Sequence, residues 1–288
     1  LTNVATAIDP SVLALTRFVE DVRAVALPPG QTFEGVRLPD GRASLVFRAH
    51  DGGRTGDVWI AGPGTRAKFK RTTGFARVVT LRFKPGWSVP LLGAAASELT
   101  DRIVPLEDVW GRAGRELCGE LLATKSRADV MDRVAWAFAF RAGQSFDTTS
   151  GQLARRAVRL LEEGEVRVES VADRLGVTAR HLRRAFTENV GIGPKEFART
   201  VRLQRAVGMA GTSNDWARIA ADAGYYDQAH LIAEFRQLVG LTPGVFFKSY
   251  SGGRGRTVDG RAYGLHFSFE SSLRRVHAGP LTLSPAGR

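Results

Sequence analysis

The chain has 288 residues, 43% hydrophobic and 24% charged, with 41 Lys and Arg against 29 Asp and Glu and a formal charge of +12. That length suits two domains rather than one small core, and the basic balance favours a polyanionic partner without specifying one. Cys118 is the only cysteine, which excludes an intramolecular disulfide or a cysteine-rich zinc site and fits a reducing, cytoplasmic setting. No apolar run approaches the roughly 20 residues of a membrane span and no signal-peptide pattern opens the chain, so no membrane role is expected.

Residues 20 to 90 predict a β-rich unit. The runs Leu45–Ala49, Val58–Gly62 and Ala76–Phe83 are short and rich in β-branched or aromatic residues, with turn signals at Pro28–Gly30, Pro39–Gly41, Asp51–Gly53 and Gly62–Gly64. This spacing suggests an antiparallel sandwich or barrel. Between 105 and 142, Leu106, Val109, Trp110, Leu117 and Leu121, then Val130, Met131, Val134 and Phe138, recur at helical spacing. They predict two amphipathic helices, compatible with an antiparallel pair. The polar stretch Ala142–Gly151 is expected to be a linker.

From Gln152 onward the pattern is helical, with about seven helices in a compact bundle. Gly164 is expected to stop the first. Ser170 with Asp173 resembles a capping box, Thr178, Asp215 and Asp227 are candidate caps, and Pro194 and Pro243 can open helices. Residues 251–288 form a basic extension of no evident role, in which the alternation of Tyr263, Leu265, Phe267 and Phe269 could make one strand. The expected division is a β-rich unit with its helices at 1–145, a helical unit at 151–250 and the extension.

Two stretches of the helical unit repeat each other. In Val171–Phe186 and Ile219–Phe235, Val171-Ala172 matches Ile219-Ala220, Gly176 matches Gly224, Leu182 matches Leu231 and Phe186 matches Phe235. A short helix, a Gly-containing turn and a second amphipathic helix is the unit that lays a recognition helix in a DNA major groove. Two copies suggest two successive grooves on one face of the duplex.

In the first unit Thr178, Ala179, Arg180, Arg183 and Arg184 fall on the outer face of the second helix, the arginines at i, i+3 and i+4. Arginine suits bidentate contact with guanine or phosphate; a solvated basic face is the bland alternative. In the second unit the candidate face is Asp227, Gln228, Ala229, Ile232 and Ala233, with His230 nearby and Arg236 as a further candidate contact. It is less basic; Gln228 suits adenine, Asp227 suits a cap, and His230 divides evenly between structure and DNA. The helix between the units adds Lys195, Arg199, Arg202 and Arg205. Eight Lys and Arg stand against two Glu from Arg174 to Arg205. That helix, about 24 Å long at 1.5 Å per residue, is a candidate strut holding the recognition helices near one DNA turn apart.

These segments resemble the DNA-binding domain of the AraC/XylS family of transcriptional regulators. The resemblance is carried by ESVADRLGVTARHLRRAFTENVGIGPKEF with its Gly191–Pro194 turn, by RLQRA at Arg202–Ala206, and by IAADAGYYDQAHLIAEFRQLVGLTPGVFFKS with Gly240, Thr242 and Pro243. One departure is Ala233, where the family usually has arginine. The resemblance implies binding to double-stranded promoter DNA and action through RNA polymerase. Upstream, LPDGRASLVF, GPGTRAKF and RFKPGWSVPLLGAAASELTDRIVPLEDVWG resemble one branch of the family in which a cupin-like β-domain is followed by helices. The expected architecture is thus a two-domain α+β protein, an N-terminal β-rich cupin-like domain with a helical pair and a C-terminal all-α tandem helix-turn-helix domain.

Other functions are weighed against this one. A cupin enzyme needs converging metal ligands, and His50 is the single histidine before the linker; no enzyme activity, metal or cofactor is expected. An alkyl acceptor would need a reactive cysteine, and Cys118 lies in an amphipathic stretch. If the β-domain senses a small effector, Trp59, Phe69, Phe83 and Trp87 are candidate walls, although aromatics at strand spacing are more often core. The apolar stripes of Leu106–Ala142 either form a homodimer face or pack on their own β-domain. The alternative to an effector-responsive regulator is a ligand-independent one whose N-terminal domain serves dimerisation or protein partners.

Overall fold

The structure is a computed structural model that describes residues 16–26, 32–124, 126–144, 147–165, 167–210, 215–250 and 256–258. The N-terminal half is β-rich and the C-terminal half is helical. Eight strands are described: β1 Val19–Ala26, β2 Thr32–Arg37, β3 Ser44–His50, β4 Thr55–Ala61, β5 Lys68–Thr73, β6 Phe75–Phe83, β7 Ile103–Pro105 and β8 Arg256–Val258. They form a five-stranded antiparallel sheet in the order β1-β6-β3-β4-β7 and a three-stranded sheet in the order β5-β2-β8. In the small sheet β2 pairs antiparallel with β5 and parallel with β8. Residues 256–258 of the expected extension therefore belong to a sheet, while Tyr263–Phe269 lies outside the described residues.

Side-chain alternation sorts the large sheet into two faces. Leu45, Phe47, Ala49, Val58, Ile60, Val79, Leu81 and Phe83 are buried on one. The other carries Val46, Arg48, His50, Asp57 and Trp59, all half-buried. There the cross-strand partners Arg48 and Asp57 make a two-pronged ion pair at 2.6 and 2.8 Å, and His50 approaches Asp57 at 3.3 Å.

Helices cover the apolar face: α1 Ser88–Leu92, α2 Ala96–Leu99, α3 Leu106–Trp110, α4 Arg112–Ala123 and α5 Arg127–Gln144. Leu91, Leu99, Leu106, Leu117, Leu121, Val130, Val134 and Phe138 share one core cluster with the sheet, and Phe138 meets Phe83 and Trp110 edge-on at 5.2 Å. The first expected helix is broken at Gly111, whose φ of +58° ends α3. The stripe of Val130, Met131, Val134 and Phe138 packs on its own β-domain, the plainer of the two expectations for those residues.

Seven helices follow among the described residues: α6 Thr149–Glu163, α7 Val168–Arg174, α8 Ala179–Val190, α9 Pro194–Ala210, α10 Trp216–Ala223, α11 Gln228–Val239 and α12 Pro243–Tyr250. Thr148, Thr178, Asp215 and Asp227 each accept a backbone N–H at a helix start. Ser170 does not cap: α7 already begins at Val168 and Ser170 lies inside it. The expected linker at Ala142–Gly151 also shrinks, because α5 runs to Gln144 and α6 starts at Thr149.

The two halves share a wide seam. Val36 and Leu38 lie in one apolar cluster with Leu203, Phe235, Leu238, Val239 and Phe246, and the Ala67 N–H donates to the Leu238 carbonyl at 2.8 Å. The end of α8 is held as well. Thr100 Oγ1 donates to the Gly191 carbonyl at 2.7 Å and Ser88 Oγ to that of Asn189 at 3.4 Å. Gly191 has φ +92°, and a Cβ there would stand 2.8 Å from Thr100 Oγ1 and 2.9 Å from the Ala96 carbonyl oxygen, so only glycine permits this approach. A guanidinium junction completes the seam. Arg42 pairs with Glu20 and reaches Glu162 of α6 at 2.9 Å. Beside it, buried Asp40 is held below its ordinary range: burial alone would raise it, and the Arg82, Arg37 and Arg42 charges more than offset that.

Candidate nucleic-acid interface

The first unit is α7, a turn and α8. Gly176 at φ +68° supplies the left-handed residue of the turn, and Leu182, Ala185, Phe186 and Val190 lock α8 onto Val171, Ala172 and α6. What remains outside is Thr178, Arg180, His181, Arg183, Arg184 and Glu188, all exposed. Thr178 also accepts the His181 N–H at 3.2 Å, so its hydroxyl is tied to the helix start. Arg183 donates to Glu169 of α7 at 2.6 Å. No described acid pairs with Arg180 or Arg184, and those two are the arginines that α8 presents without a competing partner. Ala179 is corrected: it is half-buried against the unit's own core rather than turned outward. His181, not selected from the sequence, shares the exposed rim.

The second unit is α10, a turn and α11. Tyr225 packs into the turn with Ile219, Ala223 and Leu231; burial and the nearby Glu234 carboxylate push its phenol up. Asp227 accepts the His230 N–H at 2.7 Å, and His230 Nδ1 accepts the Tyr226 N–H at 3.4 Å. His230 thus fastens the turn through its ring and its backbone while its side chain stays exposed. Gln228, Ala229 and Arg236 are exposed. Tyr226, missed from the sequence, is 93% exposed at the start of α11. Its signal was a large aromatic directly before a helix cap.

The connecting helix corrects two further residues. Glu234 of α11 is only 7% exposed. Arg199 donates to it at 3.2 Å and Arg202 at 3.3 Å, and Arg199 also donates to Gln237 at 2.5 Å. Both arginines are turned between α9 and α11 and neutralise a buried acid. They form a clamp that ties α11 to the connecting helix. Lys195 stays exposed near the N-terminal end of α9, a place where the helix dipole opposes a cation.

The four candidate pocket residues do not converge. Phe83 is wholly buried in the core. Trp59 lies on the opposite face of the sheet, with the Arg48 guanidinium 5.3 Å from its ring. Phe69 sits on the small sheet and is exposed. Trp87 belongs to the seam, 4.9 Å from the Phe18 ring and 3.9 Å from the guanidinium of Arg155 on α6. Cys118 is half-buried, and burial with the Asp57 and Glu107 charges raises its thiol, which opposes nucleophilic use. Among the described residues no group of three or more His, Cys, Asp or Glu could hold a metal ion, and no helix is long and apolar enough to cross a membrane.

Residues 171–249 match the model of a helix-turn-helix domain, and residues 8–105 match a domain of unknown function, DUF6597. A search of curated proteins finds no match. Solved structures of ToxT from Vibrio cholerae are similar at low identity. Its P21 form is 9% identical with a TM-score of 0.43, over 81% of this chain and 100% of that one. ToxT from strain O395 bound to (E)-4-(8-methylnaphthalen-1-yl)but-3-enoic acid is 10% identical with a TM-score of 0.41, over 80% and 98%.

Proposed function

We propose that this chain, whose C-terminal end is an AraC-type helix-turn-helix domain, is a sequence-specific regulator that reads promoter DNA mainly through α8. The observation that carries this reading is the exposed pair Arg180 and Arg184 on a helix whose opposite face is locked into the core. α11 adds Gln228, Ala229 and Arg236 and supplies position and phosphate contact. The α9 clamp holds both units so that one chain covers two groove segments about 10 bp apart. Hydroxyl-radical footprinting of the full chain on selected DNA tests this: two protected segments on one face are expected, and protection of a single segment would refute it.

The N-terminal domain touches both units through the seam, so a small effector bound there would bias their spacing. That is the effector-responsive reading; a native-state ligand is recognised by a concentration-dependent rise in melting temperature. The separation of Trp59, Phe69, Phe83 and Trp87 favours the second reading, a ligand-independent regulator whose N-terminal domain serves self-association through Leu106–Ala142. Both readings place the protein with the nucleoid in the cytoplasm and RNA polymerase downstream of it.

A further inference from the structure

The segment that joins β2 to β3, residues 38–43, is a loop by backbone and interior by burial. Leu38, Pro39, Asp40 and Gly41 are all buried, whereas connecting segments ordinarily run over the surface because a buried loop must find partners for its polar groups. Here Asp40 accepts the Arg42 backbone N–H at 3.1 Å and pairs with Arg82 of β6 and, at 3.8 Å, with Arg37 of β2. Its carbonyl accepts from Arg42 Nη1 at 2.9 Å, and the Arg42 carbonyl accepts from Arg37 at 2.6 Å. A buried acid and three guanidiniums thus fasten the loop to both sheets, and a buried network of this kind is stiff.

The same loop lies along α9 and reaches both helix-turn-helix units. Leu38 enters the apolar cluster of Leu203, Phe235, Leu238 and Phe246, on the side of the second unit. The Pro39 carbonyl accepts from Gln204 Nε2 at 3.1 Å. Gly41 presses on the first unit: a Cβ there would stand 2.6 Å from the Phe197 ring and 3.2 Å from Ile192, and both side chains belong to the apolar cluster of α6, α7 and α8. Arg42 reaches Glu162 of α6 at 2.9 Å. Phe197 and Gln204 stand two turns apart on α9, about 10 Å at 1.5 Å per residue. One stiff loop therefore grips the connecting helix over that length and touches the cores of both units, while Arg180, Arg184 and Gln228 stay exposed. It acts on where the reading helices stand, not on whether they are covered.

We propose that the loop at 38–43 is a splint that fixes the offset between α8 and α11, so that the chain selects one spacing between its two groove segments, with Asp40 as the positioning residue that stiffens it. One base pair added or removed between the segments turns the second by about 35° and shifts it by about 3.4 Å, which a splinted pair cannot follow and a loosened pair can. The proposal rests on the two-segment reading above and adds what selects the spacing.

Gel shifts of the full chain test it, on DNA selected from a random pool and on the same DNA with one base pair inserted or deleted between the protected segments. The wild type is expected to prefer the original spacing at least about tenfold. Asp40→Asn should lower that preference to about threefold or less. So should Arg42→Gln combined with Gln204→Ala, which cuts the loop from α6 and α9 and leaves Asp40 and both apolar clusters in place. The double variant carries the test if Asp40→Asn does not fold, and thermal melts identify the folded variants. A merely structural loss lowers the affinity for all three duplexes alike and leaves the preference unmoved. Folded variants that keep the wild-type preference would overturn the splint, as would a wild type that protects two segments yet binds all three spacings equally; either result leaves the two-segment reading standing. Protection of a single segment would overturn that reading and the splint with it.

Discussion

The two helix-turn-helix units share a scaffold and differ in where their charges point. Around α8 the core is apolar, and Arg180 and Arg184 are left to the outside. Around α11 the charge is turned inward, with Glu234 buried and Arg199 and Arg202 spent on it. The recognition face of α11 is left with an amide, an alanine, a tyrosine at the helix start and one arginine near its end. The same fold can therefore be tuned for contact or for rigidity by moving a single carboxylate into the interface between helices. A buried, multiply bonded acid fixes geometry, whereas exposed arginines supply affinity.

The strongest way to break this contrast is to remove the clamp. Glu234→Ala leaves two half-buried guanidiniums without their acid and should cost about 3–5 kcal/mol in denaturant unfolding. A loss below about 1 kcal/mol would mean the clamp is replaceable by water. Next in size is the affinity of the first unit. Arg180→Ala and Arg184→Ala should each weaken specific DNA binding by about 1–3 kcal/mol with no change in melting temperature. Arg183→Ala should do less, because Arg183 must first leave Glu169. Equal losses for all three would show that the Glu169 pair does not hold in solution. The smallest effect sharpens the other side. Tyr226→Ala should lower affinity only several-fold, by less than about 1 kcal/mol, and should leave stability unchanged because the ring touches solvent. A loss as large as that of Arg180→Ala would make α11 a reader in its own right.

What could be seen in the sequence divides along the same line. Caps at Thr178, Asp215 and Asp227 and the helix start at Pro194 were legible because each depends on residues within one turn. The inward stripe of α5 was legible by period. Strands β2 and β5 were not: TFEGVR and KFKRTT carry at least as many charges as apolar residues, and only their pairing makes them a sheet. The roles of Arg199 and Arg202 were illegible for a related reason. Their partner lies 35 and 32 residues away, and a basic helix face looks the same whether it meets a phosphate or a buried glutamate.

The seam also decides what can be exchanged between proteins. Val36 and Leu38 complete the apolar cluster that includes Phe235, Leu238 and Phe246, so a chimera cut between Gln144 and Thr149 would carry that surface uncovered into its new host. The transplantable module is discontinuous: the helices from Thr149 to Tyr250 travel intact only with Val36 and Leu38, more than a hundred residues upstream. Any recombination that treats the chain as two beads on a string breaks a core, not a linker.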